Sequence, residues 1–212
     1  MPTPSPTRFQ EAYATGEPPW IIGEPQPAVV ALEAEGLLRG RIVDLGCGTG
    51  EHTVLLAERG HDVVGADSAP AALERARAVA AAHGVVARFL EVDALAPAAL
   101  RGFDTVLDSA LFHIFDADDR ARYVDALRDV VVDGGLVAVL ALAPGPAFGP
   151  EVSADDIRSA FGRPGWHLEE LRESTYRGRV PDQAQAELLG VPVGGHVDLP
   201  AWLALARRTG GA

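Results

Sequence analysis

The chain has 212 residues, a single cysteine and a formal net charge of −12, from 18 basic and 30 acidic side chains. A chain of this length can bury a hydrophobic core without disulfides or a structural metal, and one cysteine excludes an intrachain disulfide. Because the chain is acidic and has no block of basic residues, we do not expect it to bind nucleic acid. The lack of a signal-like N-terminus or a long apolar run indicates a cytoplasmic protein without a membrane partner.

The first 27 residues are rich in proline and are expected to form an N-terminal arm. Within this arm, residues 8–14 can form a short helix that carries Phe9 and Tyr13 on one face. Four prolines between residues 17 and 27 restrict the backbone and predict a stiff, extended segment. Because the aromatic and apolar side chains of the arm need a packing partner, we expect it to form a lid over the active site.

From residue 28 onward, strand patterns and helix patterns alternate. Short apolar runs closed by glycine or aspartate predict buried parallel strands, and apolar residues at three-to-four spacing predict helices. The alternation predicts one α/β domain over residues 1–212, with a doubly wound, mainly parallel sheet and helices on both faces. The predicted strands are 41–45, 61–66, 85–92, 103–108, 136–142, 166–176 and 201–206. The predicted helices are 28 to about 36–40, 51–58, 69–83, 116–131 and 153–161, the fourth ended by Gly134 and Gly135.

A glycine-rich loop follows the first predicted strand. Gly46, Gly48 and Gly50 alternate there, as expected where the backbone turns sharply and approaches a ligand without an intervening Cβ. A dinucleotide-binding fingerprint has its third glycine three residues after the second, but Glu51 occupies that position. An acidic side chain at a helix start would face a pyrophosphate unfavourably. The loop therefore favours an uncharged or zwitterionic ligand, and Cys47 is interpreted as a small loop residue.

Aspartates stand at or near the ends of three predicted strands. Asp44 lies near the end of the first strand, Asp67 closes the second and Asp93 closes the third. In an open α/β sheet, ligands bind at these carboxyl ends. A carboxylate at Asp67 can accept both hydroxyls of a ribose, and Asp93 can accept from an adenine amino group. Each aspartate alone could be a helix cap or a loop residue, but together they predict a nucleoside site.

These motifs resemble those of the class I S-adenosylmethionine-dependent methyltransferases. The resemblance rests on residues 43–50, 64–67 and 92–94 and covers residues 17–142 most clearly. It implies a Rossmann-like, seven-stranded sheet of order 3-2-1-4-5-7-6 whose last strand is antiparallel. It also implies S-adenosylmethionine as the cofactor and S-adenosylhomocysteine as its product.

The resemblance also implies roles for individual residues. The three glycines would pass along the methionine part, Asp67 would take the ribose, and Asp93 with Ala94 would take the adenine. Asp108 and Ser109, after the fourth strand, would hold the amino group of the cofactor or shape the loop. The full set of predicted cofactor-binding residues is Trp20, Asp44, Gly46, Cys47, Gly48, Gly50, Asp67, Ser68, Asp93, Ala94, Asp108 and Ser109.

Two further segments are similar to those of bacterial small-molecule methyltransferases related to the thiopurine and heterocyclic-toxin methyltransferases. These segments are residues 18–27 in the arm and residues 107–115 after the fourth strand. Relatives of this branch often have an aspartate after the tryptophan, where this chain has Ile21. The resemblance implies methyl transfer to an oxygen, sulfur or nitrogen atom of a small aromatic or heterocyclic molecule.

His113 is a candidate general base, because it follows the fourth strand, where a methyl acceptor is expected. Its usual pKa of about 6.5 allows a neutral ring at pH 7, and the alternative is a packed histidine hydrogen-bonded to the backbone. Tyr13 is a second catalytic candidate. No metal is expected, since the acidic residues 116–119 suit a helix cap. The predicted acceptor pocket is Phe9, Tyr13, Trp20, Phe112 and His113, with ordinary packing of the arm as the alternative.

Two other functions remain open from the sequence. The chain could bind S-adenosylmethionine without transferring its methyl group, as a sensor or as a catalyst of a different reaction. It could also be an NAD(P)-dependent reductase, which the spacing of the glycines disfavours.

Overall fold

The computed structural model describes residues 2–145 and 148–210, which form a seven-stranded sheet flanked by helices. Apolar runs between glycines form the central strands. Most helices begin at prolines or at capping aspartate and serine side chains, and the helix Glu51–Glu58 begins after Gly50. The strands are β1 Arg41–Leu45, β2 Asp62–Asp67, β3 Arg88–Glu91, β4 Phe103–Ser109, β5 Val131–Leu142, β6 Trp166–Arg179 and β7 His196–Arg208. The helices are α1 Pro6–Thr15, α2 Pro27–Ala34, α3 Glu51–Glu58, α4 Pro70–Ala82, α5 Ala117–Val130, α6 Ala154–Phe161 and α7 Gln183–Leu189, with a 3-10 turn at Phe112–Ile114.

The order of the strands is β3-β2-β1-β4-β5-β7-β6, with β7 antiparallel to both of its neighbours. This confirms the expected Rossmann-like fold. Alternate residues of β1 face two different cores, since Ile42 packs with Val29 of α2 and Val43 packs with Leu127 of α5. No helix among the described residues is long and apolar enough to cross a bilayer. The parallel strands bring their carboxyl ends to one edge, beside the arm.

The fifth strand departs from the prediction. The glycines Gly134 and Gly135 do not end α5, because the helix already ends at Val130 and the chain becomes extended at Val131. Val131 pairs with Phe103, and the ladder shifts register before Leu136 pairs with Thr105. The run of valines at 130–132 favours extended structure, and the glycines lie in the irregular stretch.

The last two strands are longer than predicted, and a helix between them was not predicted. β6 and β7 form a hairpin whose pairing runs from Trp166 with Arg208 to Arg179 with His196. Helix α7 lies in the connection and begins at the side-chain cap of Asp182. Most residues of α7 are exposed, so its sequence lacks the apolar periodicity on which the prediction depended.

The arm is fixed to the body at sites far apart in the sequence. The Gln26 side chain accepts from the Arg177 N–H at 2.8 Å and donates to the Arg177 carbonyl at 2.7 Å. The Arg179 N–H donates to the carbonyl of Pro19 at 2.8 Å. Near the chain start, the Thr3 hydroxyl accepts from the N–H of Asp116 at 3.0 Å. These bonds hold the arm across the carboxyl edge of the sheet.

Replacing the buried Gln26 by Leu is expected to lower the free energy of unfolding by about 1–3 kcal/mol, because it leaves two partly buried backbone groups of Arg177 without partners. Urea denaturation measures the effect. The control is Gln183→Leu at an exposed position in α7, for which we expect a change within about 0.5 kcal/mol. Equal stabilities of the two variants would contradict the anchoring role of Gln26.

Candidate active site

A cavity of about 620 Å³ lies between the arm and the carboxyl ends of the parallel strands. Its wall combines the arm, the glycine loop, the ends of β2 and β4, the turn after β3 and part of β6. Most of the predicted site residues meet there although they come from distant parts of the chain. Those on the wall are Phe9, Tyr13, Trp20, Gly46, Cys47, Gly48, Asp67, Ser68, Asp93, Ala94, Ser109 and His113.

Asp67 ties the glycine loop to the end of β2. One carboxylate oxygen accepts from the Gly48 N–H at 2.9 Å, and the other accepts from the Ala69 N–H at 2.9 Å. Burial raises the pKa of Asp67, whereas both backbone hydrogen bonds oppose this rise by stabilising the charged form. Each oxygen keeps a second lone pair, so the carboxylate can still accept hydrogen bonds from a diol in the cavity.

The loop itself needs glycine at its centre. Gly48 has a φ of 52°, and a Cβ at this position would lie 2.8 Å from the Tyr13 hydroxyl oxygen. A side chain there would be strained and would also displace the arm. The loop is followed by Glu51, which lies on the cavity wall and whose carboxylate accepts from the Thr49 hydroxyl at 2.7 Å. A carboxylate at this position attracts a cationic group and repels a pyrophosphate.

The turn after β3 forms a further part of the cavity wall. Asp93 is exposed, and one of its oxygens accepts from the Leu95 N–H at 2.9 Å. Its second oxygen accepts from no described residue, so it can accept from a ligand amino group. Ser68 and Ala94 lie on the wall beside it.

Two predicted cofactor contacts, Asp44 and Gly50, do not line the cavity. Asp44 is buried, and its carboxylate accepts from the Thr53 hydroxyl at 2.7 Å. Burial raises its pKa to about 6. Gly50 caps α3 and packs against Ala76, where a Cβ would clash at 2.9 Å. Both residues hold α3 in place beneath the loop, and their contact with a ligand stays a prediction.

Asp108 and Phe112 also lie behind the wall rather than on it. Asp108 is fully buried and accepts from the Tyr123 hydroxyl at 2.7 Å and from the N–H groups of Leu111 and Phe112 at 3.0 and 3.1 Å. Burial raises its pKa to about 7. Phe112 stacks on Phe161 in the core, so it cannot line an acceptor pocket. Asp108 therefore supports the backbone of the loop from behind the wall, and its contact with the cofactor amino group stays a prediction.

His113 lies on the cavity wall, but its hydrogen bonding argues against a role as a base. The ring Nδ1 accepts from the Leu142 N–H at 3.1 Å. Burial lowers the pKa of the ring to about 4, so the imidazole is neutral at pH 7. With the Nδ1 lone pair engaged, the proton of the neutral ring sits on Nε2. The ring offers the cavity a hydrogen-bond donor instead of a free lone pair.

The aromatic residues of the arm pack together over the glycine loop. The Trp20 indole N–H donates to the Tyr13 hydroxyl at 2.9 Å, and its ring makes edge contacts with Phe9 and Tyr13, each at 6.0 Å between centroids. Burial and the negative charge of Asp67 raise the pKa of Tyr13 well above its usual value. Tyr13 is therefore a protonated wall residue at pH 7, and its catalytic role stays a prediction.

Several wall residues were missed by the sequence reasoning. Gln26 and His52 meet on the wall, where the Gln26 N–H donates to the His52 Nε2 at 3.1 Å. Tyr176 reaches the cavity from β6, which only the antiparallel pairing with β7 brings back to this edge. The position of His52 directly after Glu51 could have indicated its proximity to the loop. Nothing in the local pattern around Tyr176 marks it.

Residues 42–135 match the family model described as a methyltransferase domain. The chain is 34% identical over 139 residues to the 2-heptyl-1-hydroxyquinolin-4(1H)-one methyltransferase of Mycobacteroides abscessus, covering 64% of this chain and 60% of that protein. It is 44% identical over 114 residues to the demethylmenaquinone methyltransferase of Thermus thermophilus, covering 51% of each. The chain thus aligns with between half and two thirds of the length of these curated relatives.

A solved structure agrees with this chain over nearly its whole length. It was described in work on the conversion of a disulfide bond into a thioacetal group during echinomycin biosynthesis, with a TM-score of 0.86, 34% identity and coverage of 98% of this chain and 94% of that one. The chain belongs to the class I S-adenosylmethionine-dependent methyltransferases. The family resemblance stated from the motifs is confirmed.

The wall of this methyltransferase fits S-adenosylmethionine. Asp67 has free lone pairs for a ribose, and Glu51 lies where a cationic amine would be attracted. The Ser109 hydroxyl oxygen is buried on the wall without a hydrogen-bond partner among the described residues, so a polar ligand group can satisfy it. No group of three or more candidate metal ligands occurs in the described part of the chain.

Replacing Asp67 by Asn is expected to weaken the binding of S-adenosylmethionine by about tenfold or more, because the charge that accepts the ribose hydroxyls is lost. Isothermal titration calorimetry measures the dissociation constant. Asp62→Asn, at the exposed start of the same strand, is the matched control and should bind like the unmodified protein. Unchanged binding by the Asp67 variant would contradict the ribose site.

The Asp108 carboxyl is expected to make stability fall as the pH rises. Its folded-state pKa of about 7 lies above the ordinary value of 3.8, so the folded chain keeps a proton that the unfolded chain releases. Its stabilising contribution is complete below about pH 4 and is lost as the pH rises to about 7. Relative to the unmodified protein, Asp108→Asn should therefore gain free energy of unfolding across this window. Urea denaturation at several pH values tests this, and parallel pH profiles would contradict it.

Proposed function

We propose that this chain transfers the methyl group of S-adenosylmethionine to an oxygen, sulfur or nitrogen atom of a small aromatic or heterocyclic molecule. The proposal rests on the composition of the cavity wall. This wall combines the carboxylates of Asp67 and Asp93 with the aromatic rings of Phe9, Trp20 and Tyr176. Flat rings bind such a wall through stacking and edge contacts.

When bound, S-adenosylmethionine supplies an electrophilic methyl group for in-line displacement by the acceptor atom. The contribution of the chain is to orient the two reactants and to exclude water. Orientation of this kind supplies ~7–11 kcal/mol of the barrier in favourable cases. Asp67 and Glu51 hold the cofactor side, and the arm closes the acceptor side, where its prolines and its anchors at Gln26 and Pro19 limit the motion of Trp20.

The position of the proton on the His113 ring restricts which acceptor atoms the site can methylate. Since Nδ1 is engaged and Nε2 carries the proton, the ring does not remove a proton from the acceptor. We therefore propose that the acceptor atom enters with a free lone pair, as a sulfur, an aromatic nitrogen or an oxygen that is already ionised. In this proposal His113 acts as a hydrogen-bond donor, in place of the base role expected from the sequence.

The relatives support a ring acceptor and do not fix the atom. One curated relative is named for a hydroxyquinolinone and another for demethylmenaquinone, both of which contain fused rings. The solved relative was described with a disulfide as the starting group, which makes sulfur acceptors part of the proposal.

Incubation with S-adenosylmethionine and matched aromatic and aliphatic acceptors tests the proposal, with product masses as the readout. The pairs are a phenol with an aliphatic alcohol, an aromatic with an aliphatic thiol, and an aromatic with an aliphatic amine. We expect kcat/KM for the aromatic member to exceed that of its aliphatic partner by about tenfold, from the extra ring contacts. Leu188→Ala, at an exposed position in α7, is the control and should not change the ratio. Cofactor binding without transfer to any acceptor would favour a non-methylating protein, and a preference for aliphatic acceptors would contradict the ring site.

A further inference from the structure

Tyr176 carries a hydroxyl that the rest of the protein does not use. The residue lies on β6, is only 3% exposed and forms part of the cavity wall. Its hydroxyl makes no hydrogen bond to any described residue. The hydroxyl oxygen is also not one of the fully buried polar atoms that lack a partner, so it keeps some accessible surface. The hydroxyl therefore opens onto the cavity.

His113 presents a second unused polar atom to the same cavity. Its Nδ1 accepts a hydrogen bond from the Leu142 N–H. Its Nε2 makes no hydrogen bond to the described residues and, like the Tyr176 hydroxyl, keeps some accessible surface. The rings of His113 and Tyr176 pack edge to face, with centroids 6.4 Å apart and an interplanar angle of 80°. The two side chains thus fix each other at the wall.

Both atoms are donors. The Nε2 of His113 carries the proton because Nδ1 accepts from the backbone. Burial and the nearby charge of Glu51 raise the pKa of Tyr176, so its hydroxyl keeps its proton at pH 7. A pair of neutral donors binds an oxygen that offers lone pairs, such as a ring carbonyl.

We infer that Tyr176 and His113 form a donor pair that binds a ring carbonyl or ring oxyanion of the methyl acceptor. This inference rests on the proposed function, whose substrate class it narrows to rings that bear such an oxygen. The pair selects and positions the acceptor, because two fixed donors that bind one ring oxygen also fix how the ring is rotated within its own plane. Polarisation by the donors also places negative charge on the bound oxygen of a conjugated ring.

The test uses binding, which does not require methyl transfer. The full chain saturated with S-adenosylhomocysteine is titrated with 4-quinolone and with quinoline, two rings of the same size of which only the first has the carbonyl. We expect 4-quinolone to bind about tenfold more tightly, and Tyr176→Phe to lower this preference by about three- to tenfold, the worth of one neutral hydrogen bond.

His113→Asn is the second variant, because its amide oxygen can still accept from the Leu142 N–H while the donor at Nε2 is lost. It should lower the preference by a similar factor, and the double variant should abolish it. The control is Thr175→Val, which removes a hydroxyl from the neighbouring exposed position of β6 and should keep the preference. Affinity for S-adenosylhomocysteine should change by less than about twofold in all of these variants.

Three results would overturn the inference. The first is an unmodified protein without preference for 4-quinolone, and the second is a preference that survives both single substitutions. The third is a matching loss of affinity for S-adenosylhomocysteine, which would assign the donors to the cofactor. Absence of methyl transfer to every acceptor would reject the proposed function, whereas a carbonyl preference lost in both variants would still support the donor pair.

Discussion

The hydrogen bond from the Gly48 N–H to the Asp67 carboxylate joins the loop after β1 to the end of β2, and the rest of the site depends on it. A hydrogen bond to a charged group contributes roughly 1.5–3 kcal/mol, enough to hold a loop whose glycines have left-handed backbone angles. The position of this loop decides where Tyr13 can pack, because the Tyr13 hydroxyl occupies the space that a Cβ of Gly48 would need. The placement of the arm thus follows from the geometry of two strand ends.

The arm completes the site through contacts with distant parts of the chain. Gln26 bonds to the backbone of β6 much as a neighbouring strand would, and Trp20 is held by its hydrogen bond to Tyr13. These anchors leave a cavity whose wall combines carboxylates with aromatic rings. Polar interactions beneath such a cover are stronger than in water, because the local dielectric is lower. The donors of Tyr176 and His113 lie on the wall of the same cavity.

Much of this arrangement could be predicted from local sequence. The apolar runs of β1 and β2, the alternating glycines and the aspartates after them follow from short-range rules, and the residues concerned lie where the motifs place them. The start of β5 was mispredicted because Gly134 and Gly135 are as compatible with an irregular strand as with the connection after a helix. Helix α7 was missed because an exposed helix of seven residues has little periodicity.

The hydrogen bonding of the side chains in the site depends on tertiary contacts that local sequence patterns do not predict. Asp108 resembles a ligand-binding aspartate in the sequence, but the hydroxyl of Tyr123 and two backbone N–H groups engage it inside the core. The state of His113 depends on one N–H of β5, at Leu142. Tyr176 reaches the cavity only because β6 pairs with β7 at the far edge of the sheet. Tertiary structure therefore decides which polar residues face the ligand and which support the wall.

The glycine loop and its acidic partners suit a zwitterionic S-adenosyl amino acid better than a dinucleotide. Calorimetric titration of the unmodified chain with S-adenosylmethionine, S-adenosylhomocysteine and NADH measures this preference. We expect binding of both sulfur compounds and no measurable binding of NADH, because Glu51 on the cavity wall repels a pyrophosphate. Tighter binding of NADH than of either sulfur compound would contradict it.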